Sequence, residues 1–173
     1  MKTFKILLFC FIVASCNMPR AVYDYDSKLS FKQYSTYGLF PEFNSGLNQL
    51  DEKRLVNTLE SQLKKEGFTK SDEPHIYVNV YTEKYLQNNQ NTLGVGIGGT
   101  GRNVGVGVSG GIPLGGPDTY LRLTFDFIDV KTDSLIWQAI VENRFDKDAK
   151  PNERLAWFNK VVEKALEGYP PVK

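Results

Sequence analysis

The stretch YLRLTFDFIDVKTDSLIWQAIVE, residues 120–142, decides the fold. Leu121, Leu123, Phe125 and Phe127 alternate with Tyr120, Arg122, Thr124 and Asp126. A period of two gives an extended strand one apolar and one mostly polar face. Leu135, Trp137, Ala139 and Val141 repeat the pattern on a second run. Between the runs, Asp129-Val130-Lys131-Thr132-Asp133-Ser134 is rich in turn formers. The stretch therefore predicts two antiparallel strands with one face on a core. Trp137 is expected on that face, opposite the apolar residues of the first strand.

The elements on either side follow from the same rules. Residues 36–40 are aromatic and β-branched, stop at Pro41, and predict a first strand. Residues 51–66 predict a helix, with Leu55, Val56, Leu59 and Leu63 on one face. Asp51 and Glu52 suit its N-terminal end, and Lys64 and Lys65 its C-terminal end. Gly67 stands where a terminating glycine belongs, with Phe68 after it. Residues 75–85 predict a strand, with Ile76, Val78 and Val80 on one face. Pro151 opens a second helix whose stripe is Leu155, Phe158, Val161, Val162, Ala165 and Leu166. Trp157 lies partly off that stripe, and Gly168-Tyr169-Pro170-Pro171 ends the helix. This order predicts an α+β fold. The expected form is a mixed, mostly antiparallel sheet of about four strands, with both helices on one face and a Gly-rich insertion. A right-handed crossover through the first helix could make the strands before and after it parallel.

The chain has 173 residues and a formal net charge of +1. Loss of Lys2 and Lys5 with a leader brings that to −1. A near-neutral chain without basic clusters lacks the electrostatic footprint of nucleic-acid binding. Both cysteines, Cys10 and Cys16, lie near the N-terminus. The body therefore has no thiol for a disulfide, a zinc knuckle or a nucleophile.

MKTFKILLFCFIVASC reads as a leader. Lys2 and Lys5 make a positive start, and residues 6–13 form an apolar run too short to span a bilayer. Val13-Ala14-Ser15-Cys16 resembles a bacterial lipobox: an aliphatic residue, two small ones, then cysteine. The resemblance implies diacylglycerol on the Cys16 thiol and cleavage before Cys16, leaving an amino group open to further acylation. Two or three acyl chains hold a protein on a membrane far more firmly than one. Asn17 follows the cysteine, in place of the aspartate that favours inner-membrane retention. The expected location is thus the cell envelope, lipid-anchored at the outer membrane and facing the periplasm. The expected organisation is a signal peptide over 1–15, a tether over 16–30 and a single domain over 31–173, with the Gly-rich insertion at 88–118.

That insertion contains Gly94-Val95-Gly96-Ile97-Gly98-Gly99 and Gly105-Val106-Gly107-Val108-Ser109-Gly110, each a GxGxxG match. A dinucleotide site needs a helix opening at the third glycine and an acid about 20 residues later. Here Val and Ile alternate with Gly, and prolines follow. No cofactor is expected. Leu93, Val95 and Ile97, like Val104, Val106 and Val108, share one face, with glycines on the other. The segment reads either as a glycine-faced ribbon open to a partner or as a passive insertion.

Candidate chemistry in the body is sparse. His75 is the sole histidine, and metal and triad sites need further partners. No metal site is expected. Tyr23-Asp24-Tyr25-Asp26 has residues that could bind a sugar or a cation, but tyrosines interleaved with aspartates more often line a strand edge and pack. Asp126, Asp129 and Asp133 are the carboxylates available to an enzyme. Asp126 and Asp129 are three apart, so a strand points them to opposite faces. They fit turn and strand-end roles better than a paired acid and base.

Several pieces together resemble a known family. They are Phe31-Lys32-Gln33-Tyr34-Ser35-Thr36-Tyr37-Gly38, Lys65-Glu66-Gly67-Phe68, Leu123-Thr124-Phe125-Asp126-Phe127-Ile128-Asp129 with Leu135-Ile136-Trp137-Gln138-Ala139, and Gly168-Tyr169-Pro170-Pro171. In order and spacing they are similar to the bacterial lipoproteins grouped as domain of unknown function 4136. That family brings no activity and no site residues. The expected function is a membrane-anchored envelope lipoprotein, a non-catalytic module that binds an envelope protein, glycan or lipid. The alternative is a cell-envelope hydrolase or other enzyme with an unrecognised carboxylate site.

Overall fold

The computed structural model describes residues 18–87, 92–93, 112–113 and 116–171. The leader, Cys16 and the GxGxxG stretches lie outside the described residues. In chain order the elements are β1 (Arg20–Tyr25), a 3-10 turn (Phe31–Gln33), β2 (Thr36–Leu39), α1 (Gln49–Lys65), β3 (Thr69–Lys70), β4 (Ile76–Gln87), β5 (Thr92–Leu93), β6 (Ile112–Pro113), β7 (Asp118–Asp129), β8 (Ser134–Arg144) and α2 (Pro151–Leu166).

β7 and β8 are the predicted hairpin, with Leu123↔Val141, Phe125↔Ala139 and Phe127↔Trp137 side by side. All six are fully buried. The alternation fails at one place. A register shift after Phe127 pairs Ile128 with Leu135, so Ile136 is the extra residue of a bulge. Ile136 is buried, and Leu135, expected on the core face, stands 52% exposed. Strand alternation cannot be carried through a bulge, because one extra residue exchanges the two faces.

The expected sheet of about four strands has six, in the order β1-β8-β7-β4-β2-β3. The two additions are edge strands. β1, within the stretch read as tether, pairs antiparallel with β8 from Arg20↔Glu142 to Tyr25↔Trp137. β3 has only two residues and lies parallel to β2. β2 and β4 are parallel, joined through α1. β5 and β6 form a separate pair. Five residues beyond Gln87↔Asp118, Thr92 faces Pro113, so this pair keeps the register of β4 and β7.

Both helices share one core with one face of the sheet. Leu55, Leu59 and Leu63 of α1 and Phe158, Val161, Val162 and Ala165 of α2 are fully buried with Ile76, Val78, Val80 and the hairpin residues. Asn48 caps α1, its side-chain oxygen accepting from the Leu50 and Asp51 amides. Gly67, at φ +89°, closes α1. The Phe68 amide reaches back to the Leu63 carbonyl and the Gly67 amide to that of Lys64, as in a Schellman motif. Gly168 works differently. A Cβ there would collide with the Tyr23 ring, so glycine lets the chain after α2 lie against β1. On α2, Leu155 departs from its expected place on the buried stripe and is 43% exposed. Burial begins with the half-covered Trp157, whose Nε1 donates to the Arg144 carbonyl.

Candidate functional site

The pieces of sequence that resemble a family are scattered along the chain, and the fold brings them together. Phe31 meets Tyr169 edge-on at 5.7 Å, and Tyr169 meets Phe68 at 5.4 Å, Phe127 at 5.1 Å and Trp137 at 5.6 Å. Phe127 and Trp137 lie 4.7 Å apart. The Trp137 indole N–H donates to the Gly168 carbonyl, and the Tyr34 hydroxyl to Asp129 at 2.7 Å. These rings are at most 9% exposed, so the cluster packs the domain and offers no surface to a ligand.

The candidate carboxylates do not converge. Asp129 caps the hairpin turn, accepting from the Lys131 and Thr132 amides as well as from Tyr34. Burial alone would raise its pKa, but those hydrogen bonds outweigh it and hold the carboxyl below its usual value. Asp133 takes the left-handed turn position, at φ 52°. Asp126 lies on the sheet face away from the helices and accepts from Gln138 Nε2 at 2.7 Å. Burial raises its pKa, and the Gln138 bond opposes the rise. His75 is exposed, its Nδ1 3.5 Å from the Ser35 hydroxyl. Tyr23 and Tyr25 line β1 and pack on the core, Tyr23 bonding the Lys164 carbonyl. Asp24 turns back to the Tyr25 amide and Asp26 to the Lys28 amide. Among the described residues no three His, Cys, Asp or Glu side chains are grouped to hold a metal ion.

What remains is the open face of the sheet, formed by the outward residues of β1, β8, β7 and β4. Across these strands Arg20, Glu142, Arg122 and Glu83 form one row of alternating charge. Arg122 Nε donates to Glu142 at 2.6 Å and its Nη1 to Glu83 at 3.2 Å. In the next row Tyr85 and Tyr120 stack at 5.6 Å and 19°, with the Arg122 guanidinium over Tyr85. Arg144 pairs with Asp118 at 2.8 Å. These rows border a hollow of about 500 Å³ that also touches Met18 and Gln87. Burial, then the charge of Glu142 and a hydrogen bond to it, raise the Tyr85 pKa. The hollow holds aromatic edges and side chains of both charges, features that suit polar groups. Sequence reading found these residues only as the polar side of an alternation. Pairing Tyr85 with Tyr120 requires the β4–β7 register, which no local pattern states.

A family model described as a domain of unknown function, DUF4136, matches residues 21–171. The chain belongs to this family. The DUF4136 match begins inside β1, in keeping with β1 being part of the folded domain. No curated protein matches. Among solved structures, a PDZ domain protein from Parabacteroides distasonis is 16% identical, with a TM-score of 0.55. The alignment covers 91% of this chain and 37% of that one, so the DUF4136 chain spans little more than a third of that protein's length. The likeness is one of fold. The PelC dodecamer from Paraburkholderia phytofirmans is 12% identical, with a TM-score of 0.44 and coverage of 86% of this chain and 95% of that one.

Proposed function

We propose that this DUF4136 protein is a lipoprotein of the bacterial envelope, anchored to the outer membrane through Cys16 and facing the periplasm. It acts there as a non-catalytic binding or assembly module. The observation that carries this reading is the register of Val13-Ala14-Ser15-Cys16 behind a positive start and a short apolar run. The short distance to the domain supports it. β1 begins at Arg20, four residues after Cys16, so an extended chain puts the strand within about 14 Å of the anchor. The non-catalytic part is supported by the three candidate carboxylates, Asp126 bonded across a strand pair and Asp129 and Asp133 placed in the hairpin turn. The chemistry on offer is an open sheet face suited to an envelope protein, a glycan or a lipid.

Growth with a labelled fatty acid tests the anchor. The wild-type protein is expected to take up label, and Cys16→Ala to stay unlabelled and uncut. A wild-type protein without label would end the lipoprotein reading. A second reading, an envelope hydrolase, rests on Asp126, whose half-buried carboxyl has a raised pKa. It requires that Asp126→Asn abolish a hydrolytic activity that the wild-type protein shows on envelope material.

A further inference from the structure

We infer that the end of the domain at which β1 begins is a membrane-contact surface, resting on the phospholipid bilayer that carries the anchor. The inference deepens the reading of Cys16 as the lipidated residue and rests on it.

Topology gathers six element ends there. β1 starts at Arg20 opposite Glu142, near the end of β8. β4 ends and β7 begins at Gln87↔Asp118, and the Phe145 amide ties the β8 exit to Thr119. Both helices start at the same end. Asp51 in the first turn of α1 is bonded to Arg154 in the first turn of α2, and Arg154 also donates to the Lys147 carbonyl. Gly46, just before α1, lies against the Thr82 carbonyl of β4.

Four exposed apolar side chains lie at this end, while Val130 and Leu135 stand exposed at the hairpin end. Met18 is 71% exposed, Leu50 66%, Leu86 64% and Leu155 43%. Met18 precedes β1, Leu86 is next to last in β4, and Leu50 and Leu155 adjoin the Asp51–Arg154 bond. The apolar run of β4 on its core face stops at Val80, and the same face continues as Thr82, beside Gly46, and then Lys84 and the exposed Leu86. These are separate side chains on the ends of elements, so they do not make a groove for one peptide. They suit a flat, yielding apolar phase. Their neighbours suit its boundary: Tyr85 and Tyr120 are amphipathic rings, and Lys84, Arg20 and Arg144 have apolar stems under charged heads.

The length of chain before β1 selects the occupant. Met18 is two residues from Cys16, within about 7 Å of a lipidated cysteine even when extended. A tether this short keeps the end at the bilayer, where its high effective concentration makes a weak apolar contact sufficient. Acidic and basic groups alternate here, so apolar contact rather than net charge holds the surface down.

The test uses the full-length protein, purified after lipidation and placed in vesicles of phosphatidylethanolamine and phosphatidylglycerol. Cys10 leaves with the leader and the Cys16 thiol is alkylated, so an introduced cysteine is the sole free thiol. A polarity-sensitive fluorophore is attached in Leu86→Cys, in Leu155→Cys and, at the opposite end, in Val130→Cys. All three sites are exposed, so the fold is expected to survive. Spin-labelled lipids should quench the first two several times more strongly than the third, with blue-shifted emission. Equal quenching at the three sites would overturn the contact while leaving the anchor standing. A blue shift at Leu86 without lipid quenching would mean that protein covers it, and would also overturn the contact. Fatty-acid labelling of the same preparation reports the anchor separately, and its failure removes both readings.

Discussion

At the hairpin end of the molecule Phe31, Phe68, Phe127, Trp137 and Tyr169 are packed against one another. At the end where β1 begins, Met18, Leu50, Leu86 and Leu155 stand in the open. The pieces of sequence that resemble DUF4136 mostly meet at the first end, around Tyr34, Phe68, the Phe127–Trp137 pair and Tyr169. None of the four exposed residues belongs to them. Those pieces hold the domain together, while the family match as a whole runs over residues 21–171 and takes in Leu50, Leu86 and Leu155.

The comparison is broken most severely from the packed end. Trp137→Ala removes a fully buried indole, its contact with Phe127 and its bond to the Gly168 carbonyl. It should cost about 3–5 kcal/mol, a large part of a domain's stability. Urea denaturation checks this, and a variant unfolding near the wild-type midpoint would show that the cluster does not hold the domain.

Next in size is a buried polar clamp at the other end. Asp51 is 1% exposed and bonded to Asn48, Arg54 and Arg154. Arg154→Ala leaves Arg54 and Asn48 in place, so the expected loss is about 2 kcal/mol, the range for a hydrogen bond to a charged group. Replacing Arg54 and Arg154 together should cost more than the separate losses added, because Asp51 would then be buried without a cation.

The packed end should also be visible in alkali. Burial first, then the hydrogen bond to Asp129 and its charge, push the Tyr34 phenol up to about 12. Between its ordinary value near 10 and that value, the unfolded chain loses the proton while the folded chain keeps it. Tyr34 therefore stabilises the fold by an amount that is constant below pH 10 and is lost as pH rises from about 10 to about 12. Denaturation midpoints across that window should fall less steeply in Tyr34→Phe than in the wild type. The exposed end gives the smallest effect. Leu86→Ser should change stability by less than about 0.5 kcal/mol, and a larger loss would place Leu86 in the core.

Much of this fold was legible in the sequence because its elements are long and periodic. Residues 120–142, both helices and the strands at 36–40 and 75–85 are all present, close to their expected ends. β1 was not read. Ala21, Tyr23 and Tyr25 alternate with Arg20, Val22 and Asp24, but six residues at the edge of an expected tether are too short a pattern to separate from a linker. Partnership with β8, more than 100 residues later in the sequence, is what makes them a strand. Leu135 was misplaced by a bulge, and Leu155 by counting helical period past the point where α2 meets the sheet. The open-face rows could not be read at all. Arg20, Glu142, Arg122 and Glu83 meet only through the register of four strands, and register is set by the whole core.

Hydrogen exchange on the full-length lipidated protein, in vesicles and then in detergent, compares the two ends in a single measurement. The account predicts that amides around Leu50, Leu86 and Leu155 exchange more slowly on vesicles. Those of β7 and β8 near the Asp129–Ser134 turn should exchange alike in both. Slowing at that turn with no change around Leu86, or no difference anywhere, would contradict it.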